Sequence, residues 1–245
     1  MIPDIRRRKL IELLKTSEIM YLPDIVAAMN TSESTVRRDL KLMAMNGEVE
    51  LLRGGGVQLP QHNSEMNMFV KMQLNESEKL KIAREASSCI YPGDVVFLDP
   101  SSINYLLINF INDPRITIVT NSIIHIGKLL EKDMNCVFLG GQVKQKTSSC
   151  IGPMAEKMMC DLRFSKCFLG ANGVNRTAGI TNHDPREQSI KQLAIRNSAR
   201  VFFLIDSVKY GAEAMCRVAG IEEHTIITDS PWEGCEDLTN LIIAK

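Results

Sequence analysis

The sequence carries no surplus of either charge: 29 Lys and Arg are matched by 29 Asp and Glu. Net charge therefore says nothing about a polyanionic partner, which has to be sought in local clusters. The seven cysteines (Cys89, Cys136, Cys150, Cys160, Cys167, Cys216 and Cys235) are odd in number, and none stands in a CxxC pair. That disfavours a disulfide framework and suits reduced thiols in a cytoplasm. The four histidines lack ligand spacing, so neither a metal nor a cofactor is expected. No apolar run approaches the roughly 20 residues that cross a bilayer. The start is charged from Asp4 to Lys9, so no signal peptide and no membrane partner are expected. What is present is 245 residues of ordinary globular composition, enough for two domains.

The first 58 residues read as three short helices and a hairpin. Ile5 to Lys15 places Leu10, Leu13 and Leu14 at helical spacing, and Leu22 to Met29 does the same with Ile25 and Met29. Ser32 reads as the N-cap of a third helix that stops at Asn46-Gly47. The link around Asn30-Thr31 is so short that the second and third helices form a helix-turn-helix. At about 100° per residue, Val36, Leu40, Met43 and Ala44 share one face of the third helix. Ser34, Arg37, Arg38, Lys41 and Met45 share the opposite one. A cationic stripe facing away from the core on such a helix suits a major groove, where arginine holds a guanine edge or a phosphate with two hydrogen bonds. Next, Val49 to Leu52 and a strand near Val57 flank Arg53-Gly54-Gly55-Gly56. This reads as a wing with Arg53 set to touch phosphate or the minor groove. The expected DNA-binding residues are Ser32, Ser34, Thr35, Arg37, Arg38, Lys41 and Arg53.

Residues 59–75 are polar without a clean period and read as a linker. From Glu76 short apolar β-rich runs alternate with helical segments. The runs are Val95–Leu98, Ile116–Val119, Val137–Leu139, Cys167–Leu169, Val201–Ile205 and Ile226–Ile227, with helices at Ile103–Ile111, Ser122–Leu130, Pro153–Cys160 and Arg186–Ala199. The expected fold class is α/β: a mostly parallel sheet with helices on both faces over 76–245, behind an N-terminal winged helix-turn-helix over 1–58. Ligands of open α/β sheets bind beyond the strands' carboxyl ends. There the sequence places Asp99-Pro100-Ser101-Ser102, Thr120-Asn121-Ser122, Gly140-Gly141, Gly170-Ala171-Asn172-Gly173 and Asp206-Ser207-Val208-Lys209. Hydroxyls, amides, glycines and one lysine make a rim suited to polyols or phosphate.

These residues resemble the DeoR family of bacterial transcriptional regulators along nearly the whole chain. The N-terminal signature is Ser32-Glu33-Ser34-Thr35-Val36-Arg37-Arg38-Asp39-Leu40 followed by Gly54-Gly55. It continues with Gly93-Asp94, Asp99, Val119-Thr120-Asn121-Ser122, Leu139-Gly140-Gly141, Phe168-Leu169-Gly170-Ala171 and Asp206-Ser207-Val208-Lys209-Tyr210-Gly211. The resemblance implies a sensor domain with a fold similar to ribose-5-phosphate isomerase and glucosamine-6-phosphate deaminase. It further implies repression of sugar-utilisation genes and a response to a phosphorylated sugar. Where the family usually has Ser-Gly-Thr-Thr after the aspartate, this chain has Pro100-Ser101-Ser102-Ile103, which implies an unusual ligand or a weaker hold on phosphate. Asn172 stands where an aspartate is common, and Tyr21 where a serine N-cap is.

The leading expectation is a DNA-binding repressor whose DNA affinity a sugar phosphate changes. Lys209 is then the phosphate cation. Ser101, Ser102, Thr120, Asn121 and Ser122 hold hydroxyls or phosphate oxygens, Asp99 accepts from a sugar hydroxyl, and Gly140 and Gly141 complete the rim. The alternative is a sugar-phosphate isomerase or deaminase with an accessory DNA-binding domain. Asp99, Asp206 and Glu187 are its candidate acids and bases, but they form no complete constellation. A protein-interaction module that uses the winged domain without DNA fits the basic stripe least. Because one winged domain touches few base pairs, a homo-oligomer, dimer or tetramer, on double-stranded operator DNA is expected.

Overall fold

The computed structural model describes residues 3–60 and 65–245, and the chain divides into two compact units, Met1–Leu74 and Asn75–Lys245. Residues 61–64 of the expected linker lie outside the described residues, as do the first two residues of the expected winged domain.

The first unit runs α1 (Pro3–Lys15), β1 (Met20–Tyr21), α2 (Leu22–Met29), α3 (Glu33–Met45), β2 (Glu50–Leu51), β3 (Gly56–Gln58) and α4 (Met68–Gln73). Leu10, Ile11, Leu14, Ile25, Met29, Val36, Leu40 and Met43 close one core among the first three helices. The apolar stripes at spacing three and four bring these residues together. The strands form a small antiparallel sheet in the order β1-β3-β2. Asn46 and Gly47 end α3 through backbone bonds to Leu42 and Ala44. Ser32 stands at the N-cap position, but its hydroxyl meets Thr35 Oγ1 at 2.8 Å and caps no backbone N–H. The stretch read as a linker differs from that reading. Met66 and Val70 join the core of this unit, and Asn67 caps α4 by accepting from the Phe69 N–H. Its apolar residues crowd into 66–74 without a clean period of two or three to four, yet Met66, Met68 and Val70 are buried and anchor the short helix.

The second unit contains α5 (Glu76–Ser87), β4 (Val95–Leu98), α6 (Ser102–Leu107), β5 (Thr117–Thr120), α7 (Ile123–Glu131), β6 (Cys136–Phe138), β7 (Gln142–Lys144), β8 (Ser149–Ile151), α8 (Pro153–Cys160), β9 (Phe164–Gly170), β10 (Gly173–Asn175), β11 (Gly179–Asn182), α9 (Pro185–Arg196), β12 (Ser198–Leu204), β13 (Cys216–Ala219), β14 (Thr225–Thr228) and β15 (Leu241–Ile243). Seven of these strands form one sheet, in the order β15-β14-β12-β9-β4-β5-β6, and every pairing in it is parallel. Side chains alternate across it, as the period of two requires. Phe97, Cys167, Leu169 and Phe203 face Ala155, Met159, Ile190 and Ala194 of α8 and α9. Val96, Leu98, Phe168, Phe202 and Leu204 face Ile82, Ala83, Ile103, Leu107 and Leu129 of α5, α6 and α7. With helices on both faces the strands are apolar throughout, which is why they read as continuous runs.

From β4 the chain builds outward to β5 and β6 in one direction, then returns to place β9, β12, β14 and β15 on the other side. The strand order therefore reverses between β4 and β9. A crevice opens at the carboxyl ends of strands at such a point.

Candidate functional site

In the first unit the cations stand where the periodicity puts them. Val36, Leu40 and Met43 are buried, while Arg37, Arg38 and Lys41 are exposed. Arg38, Lys41 and Arg53 make no ion pair and no side-chain hydrogen bond among the described residues, and Arg37 donates to Glu33 at 2.8 Å. Ser34 is exposed beside Ser32 at 3.3 Å, and Thr35 is half-buried. The aspartate of the same signature has the opposite fate. Asp39 is 4% exposed and accepts from Arg6 at both oxygens, tying α3 to α1. One short motif thus leaves two cations exposed and buries one anion in the core. In the wing, Gly54 (φ +94°) and Gly55 (φ +85°) occupy backbone space that disfavours side chains, and the turn leaves Arg53 exposed. Between the β2–β3 turn and α3 lies a groove of about 840 Å³ lined by residues including Tyr21, Arg37, Lys41, Leu51 and Gly54.

In the second unit Asp99 follows β4 and is 1% exposed. Its Oδ1 accepts from Asn104 Nδ2 (2.8 Å), and its Oδ2 accepts from the Gly170 N–H (2.8 Å) and from the Lys191 ammonium. Lys191 also donates to the Gly170 carbonyl (2.8 Å). Burial works against a charge on Asp99, but Lys191 and these hydrogen bonds outweigh it and hold its pKa below the usual carboxylate range. Asp99, expected to accept from a sugar hydroxyl, therefore has both oxygens occupied. It joins the ends of β4 and β9 across the strand-order reversal. Gly170 must be glycine, since a Cβ there would come within 2.6 Å of Ser101 Cβ. Lys191 was missed in the sequence. It sits in a plain amphipathic stretch, and only the burial of its whole face distinguishes it from a surface lysine.

The β5 end is built differently. Thr120 Oγ1 donates to the Leu98 carbonyl (2.7 Å), accepts from the Ser122 N–H (3.1 Å) and lies 3.4 Å from His125 Nδ1. Asn121 Nδ2 donates to the Cys150 carbonyl (2.8 Å) and the Asn121 carbonyl accepts from the Cys150 N–H (2.8 Å), so the β7–β8 hairpin is fastened over the end of β5. Gly141 lets that hairpin pass, because a Cβ would meet the Ile151 carbonyl at 2.8 Å; Gly140 has open space around it. The hairpin's other side is pinned to α9: Lys144 pairs with Asp184 (3.0 Å) and Glu187 (3.3 Å), and Thr147 donates to Glu187 (2.6 Å). Ser101 spends its hydroxyl accepting from the Asn104 N–H (3.2 Å), and Ser102 is buried.

Beyond β12, the turn that carries Lys209 is held firmly. Ser207 donates to Asp229 from its N–H (2.7 Å) and its hydroxyl (2.8 Å), and Tyr210 stacks on Trp232 at 4.8 Å. The Lys209 ammonium itself, half-buried, has no side-chain partner among the described residues. A lysine on a fixed turn with its charge unspent is suited to an anion.

Six buried side-chain nitrogen or oxygen atoms among the described residues lack a hydrogen-bond partner, and four of them fall in one place: Asn104 Oδ1, Asn121 Oδ1, Ser122 Oγ and His125 Nε2. Each such atom costs about 1–3 kcal/mol if nothing meets it. Burial pushes the His125 pKa down to about 4, so the ring is neutral at pH 7. Asn104 and His125 are further residues that the sequence reading did not pick out. No group of three or more His, Cys, Asp or Glu able to hold a metal occurs among the described residues.

Comparison with known proteins gives this geometry its family. Residues 6–61 match the DeoR-like helix-turn-helix domain, and residues 74–230 match the DeoR C-terminal sensor domain. The chain belongs to the DeoR family. It is 35% identical to the HTH-type transcriptional regulator FruR of Bacillus subtilis over 229 residues, 93% of this chain and 91% of that protein. It is 34% identical to a lactose phosphotransferase system repressor of Staphylococcus aureus over 212 residues, 83% and 82% of the two chains. Among solved structures, ribose 5-phosphate isomerase A from Methanocaldococcus jannaschii is similar at 18% identity and a TM-score of 0.42, covering 56% of this chain and 55% of that one. As a DeoR-type regulator the chain couples a helix-turn-helix DNA-binding domain to a sensor domain. The expected cationic stripe lies on the former and the expected rim on the latter.

Proposed function

We propose that this DeoR-family regulator is a repressor of a sugar-utilisation operon, and that a phosphorylated sugar bound in the second unit changes its affinity for operator DNA. The observation that carries the DNA part is the row of exposed, largely unpaired cations on α3 opposite its buried face. Arg37, Arg38 and Lys41 read or clamp the major groove, with Ser32, Ser34 and Thr35 at the helix's entering end and Arg53 on the wing. The sensor part is supported by Lys209 on its braced turn together with the unsatisfied polar atoms at the β5 end. Gly140, Gly141, Ser101 and Ser102 shape the rim, and Asp99 holds it in place. The lactose phosphotransferase repressor to which the chain is similar is named for a sugar system, which agrees with this ligand class. The regulator acts as a homo-oligomer, since two winged domains are needed to select a site in a genome, and it works in the cytoplasm, where the DNA is.

No observation favours the isomerase or deaminase reading. Asp99 and Glu187 already accept several hydrogen bonds each, and Asp206 is buried 4.0 Å from Lys79. The test is to select duplexes from a random DNA pool with the full chain, then repeat binding with a panel of sugar phosphates. Selected duplexes with a shared half-site, and one panel member that shifts their affinity, are expected. Failure to enrich any duplex refutes the reading.

A further inference from the structure

The seven-stranded sheet of the second unit has two edges, and they are finished differently. At one edge β15 is partly covered on both faces, since Leu241 packs on one core cluster and Ile242 on the other, and Lys245 follows it. Partial cover and a lysine are usual guards against pairing with another chain. At the other edge β6 reads Cys136-Val137-Phe138, without charge, proline or bulge. A strand apolar on both faces has the composition of an interior strand. Yet Val137 is 39% and Phe138 36% exposed. The Asn135 carbonyl accepts from the Ile118 N–H (2.9 Å), and the Leu139 N–H donates to the Thr120 carbonyl (2.9 Å), so both point toward β5. By alternation the N–H and carbonyl groups of Cys136 and Phe138 point outward, where β6 has no neighbour among the described strands.

Two further features mark this edge. Cys136 packs against the core cluster that holds Leu129 of α7, so Phe138 shares its face of the sheet with that helix. The exposed stripe of α7 is Ile123, Gly127 and Leu130, the last 65% exposed. A glycine inside a helix is destabilising, and nothing stands within 4 Å of where a Cβ of Gly127 would be. Close approach of another helix gives that glycine a reason. Charge is also split along the edge. Glu131 and Asp133 precede β6, are exposed and make no ion pair among the described residues. The nearby lysines are turned away, Lys128 to the Tyr105 carbonyl (2.7 Å) and Lys132 to the Ile108 carbonyl (2.8 Å). Lys146, beyond β6, is likewise without an ion pair among the described residues. A parallel copy of this edge sets acid against acid, whereas an antiparallel copy sets acid against base.

We propose that β6 pairs antiparallel with β6 of a second copy of this chain, about a two-fold axis at Val137, joining the two sheets into one. The proposal rests on the homo-oligomer reading above and gives it a surface. This register pairs all three residues of the strand. Cys136 and Phe138 of the partner subunit exchange both backbone hydrogen bonds, and Val137 meets its twin at the closer, non-hydrogen-bonded position. The groups used are the outward-pointing ones. The axis is perpendicular to the sheet, so the two α7 helices lie antiparallel on one face with their exposed stripes turned to one another.

The test is sedimentation velocity of the full chain as wild type, Val137→Lys and Gly127→Gln, with far-UV circular dichroism to check that each is folded. Both positions are exposed, so each substitution fits a single copy, and Gly127→Gln replaces a poor helix former by a better one. Wild type is expected to sediment as a dimer or a tetramer. Val137→Lys brings two ammonium groups together at the axis and is expected to halve that mass, raising the dissociation constant at least about a hundredfold. Gly127→Gln is expected to weaken assembly by about tenfold with no loss of helical signal. Val137→Cys reads the register. At a non-hydrogen-bonded pair the Cα atoms stand about 4.5 Å apart, within reach of a disulfide. Oxidised glutathione is therefore expected to link Val137→Cys into dimers and to leave wild type unlinked, because Cys136 faces Phe138 of the partner subunit. Wild-type mass in folded Val137→Lys, or no link in Val137→Cys, overturns the β6 pairing and leaves the homo-oligomer reading standing. A wild type that is monomeric both free and on its selected duplex overturns both.

Discussion

The two units of this regulator distribute charge in opposite ways. The first leaves Arg37, Arg38, Lys41 and Arg53 exposed and buries two acids, Asp39 against Arg6 and Glu48 beside Asn46. The second buries Lys79, Lys166 and Lys191 together with Asp99, Asp206 and Glu187, and leaves Lys209 without a side-chain partner among the described residues. The difference suits the two partners proposed above, which differ in size. A duplex is wide and carries its own charge, so exposed cations in high dielectric suffice and gain from counterion release. A small anion must be taken out of water, so its site needs a rigid frame of compensated charges with few left open. Zero net charge is the sum of these two arrangements and describes neither.

The sharpest break in the comparison comes from a buried pair. Asp99→Asn leaves Lys191 without a counter-charge and is expected to cost about 3–5 kcal/mol. The sole tryptophan, Trp232, lies in the second unit's core, so its fluorescence reports that loss in urea. A loss under about 1 kcal/mol would show that the frame is not electrostatic. Next in size is His125. Its pKa is about 4 in the fold against about 6.5 unfolded, so below pH 6.5 the unfolded chain takes up a proton that the native state refuses. Stability is fully present above pH 6.5 and falls by about 3 kcal/mol as pH drops to 4. Half-buried His224, also shifted down by burial, adds to the same window. His125→Asn should flatten most of the slope, and an unchanged pH profile would contradict the burial argument. The depressed Asp99 acts elsewhere: its contribution is lost only below the ordinary carboxylate range.

Changes at exposed or open cations should leave stability alone and act on binding. Lys209→Met removes a charge-assisted contact worth about 1.5–3 kcal/mol, so effector affinity should fall roughly tenfold to a hundredfold. DNA affinity without effector should stay as it was. Equal dissociation constants for mutant and wild type would remove Lys209 from the site. Arg38→Ala should cost about 1–3 kcal/mol in DNA binding. If Arg38 reads a base, one position of the site relaxes; if it holds phosphate, all duplexes weaken together.

The helices of the first unit were legible because each carries an apolar stripe, and α2 has the bounds that its sequence announces, Leu22–Met29. The central strands were legible for the opposite reason, as short runs apolar on both faces. The β7–β8 hairpin was not, since Gln142 to Ile151 is polar and is held by Asn121 and Glu187 from distant parts of the chain. The strand-end rule named charged and polar residues beyond the strands, but it could not tell which of them are already spent on the fold. Asp99 and Lys209 look alike as charged residues after strands. Only Lys191, arriving from a helix 92 positions away, makes one a brace and leaves the other free. Asn104 and His125 were hidden because an amide or an imidazole within a helix carries no signal until its neighbours are known.

The most direct test of the account is the affinity of the full chain for a duplex selected from a random pool, measured by fluorescence anisotropy for wild type and for Arg37→Ala/Arg38→Ala, with the urea transition followed by far-UV circular dichroism on the same samples, so that the helices of the first unit are reported. The account predicts that the double mutant loses at least about tenfold in DNA affinity and that the dependence on salt becomes shallower. It also predicts an unchanged urea midpoint. Wild-type DNA affinity in the folded double mutant would contradict the claim that the exposed cations of α3 are there for DNA.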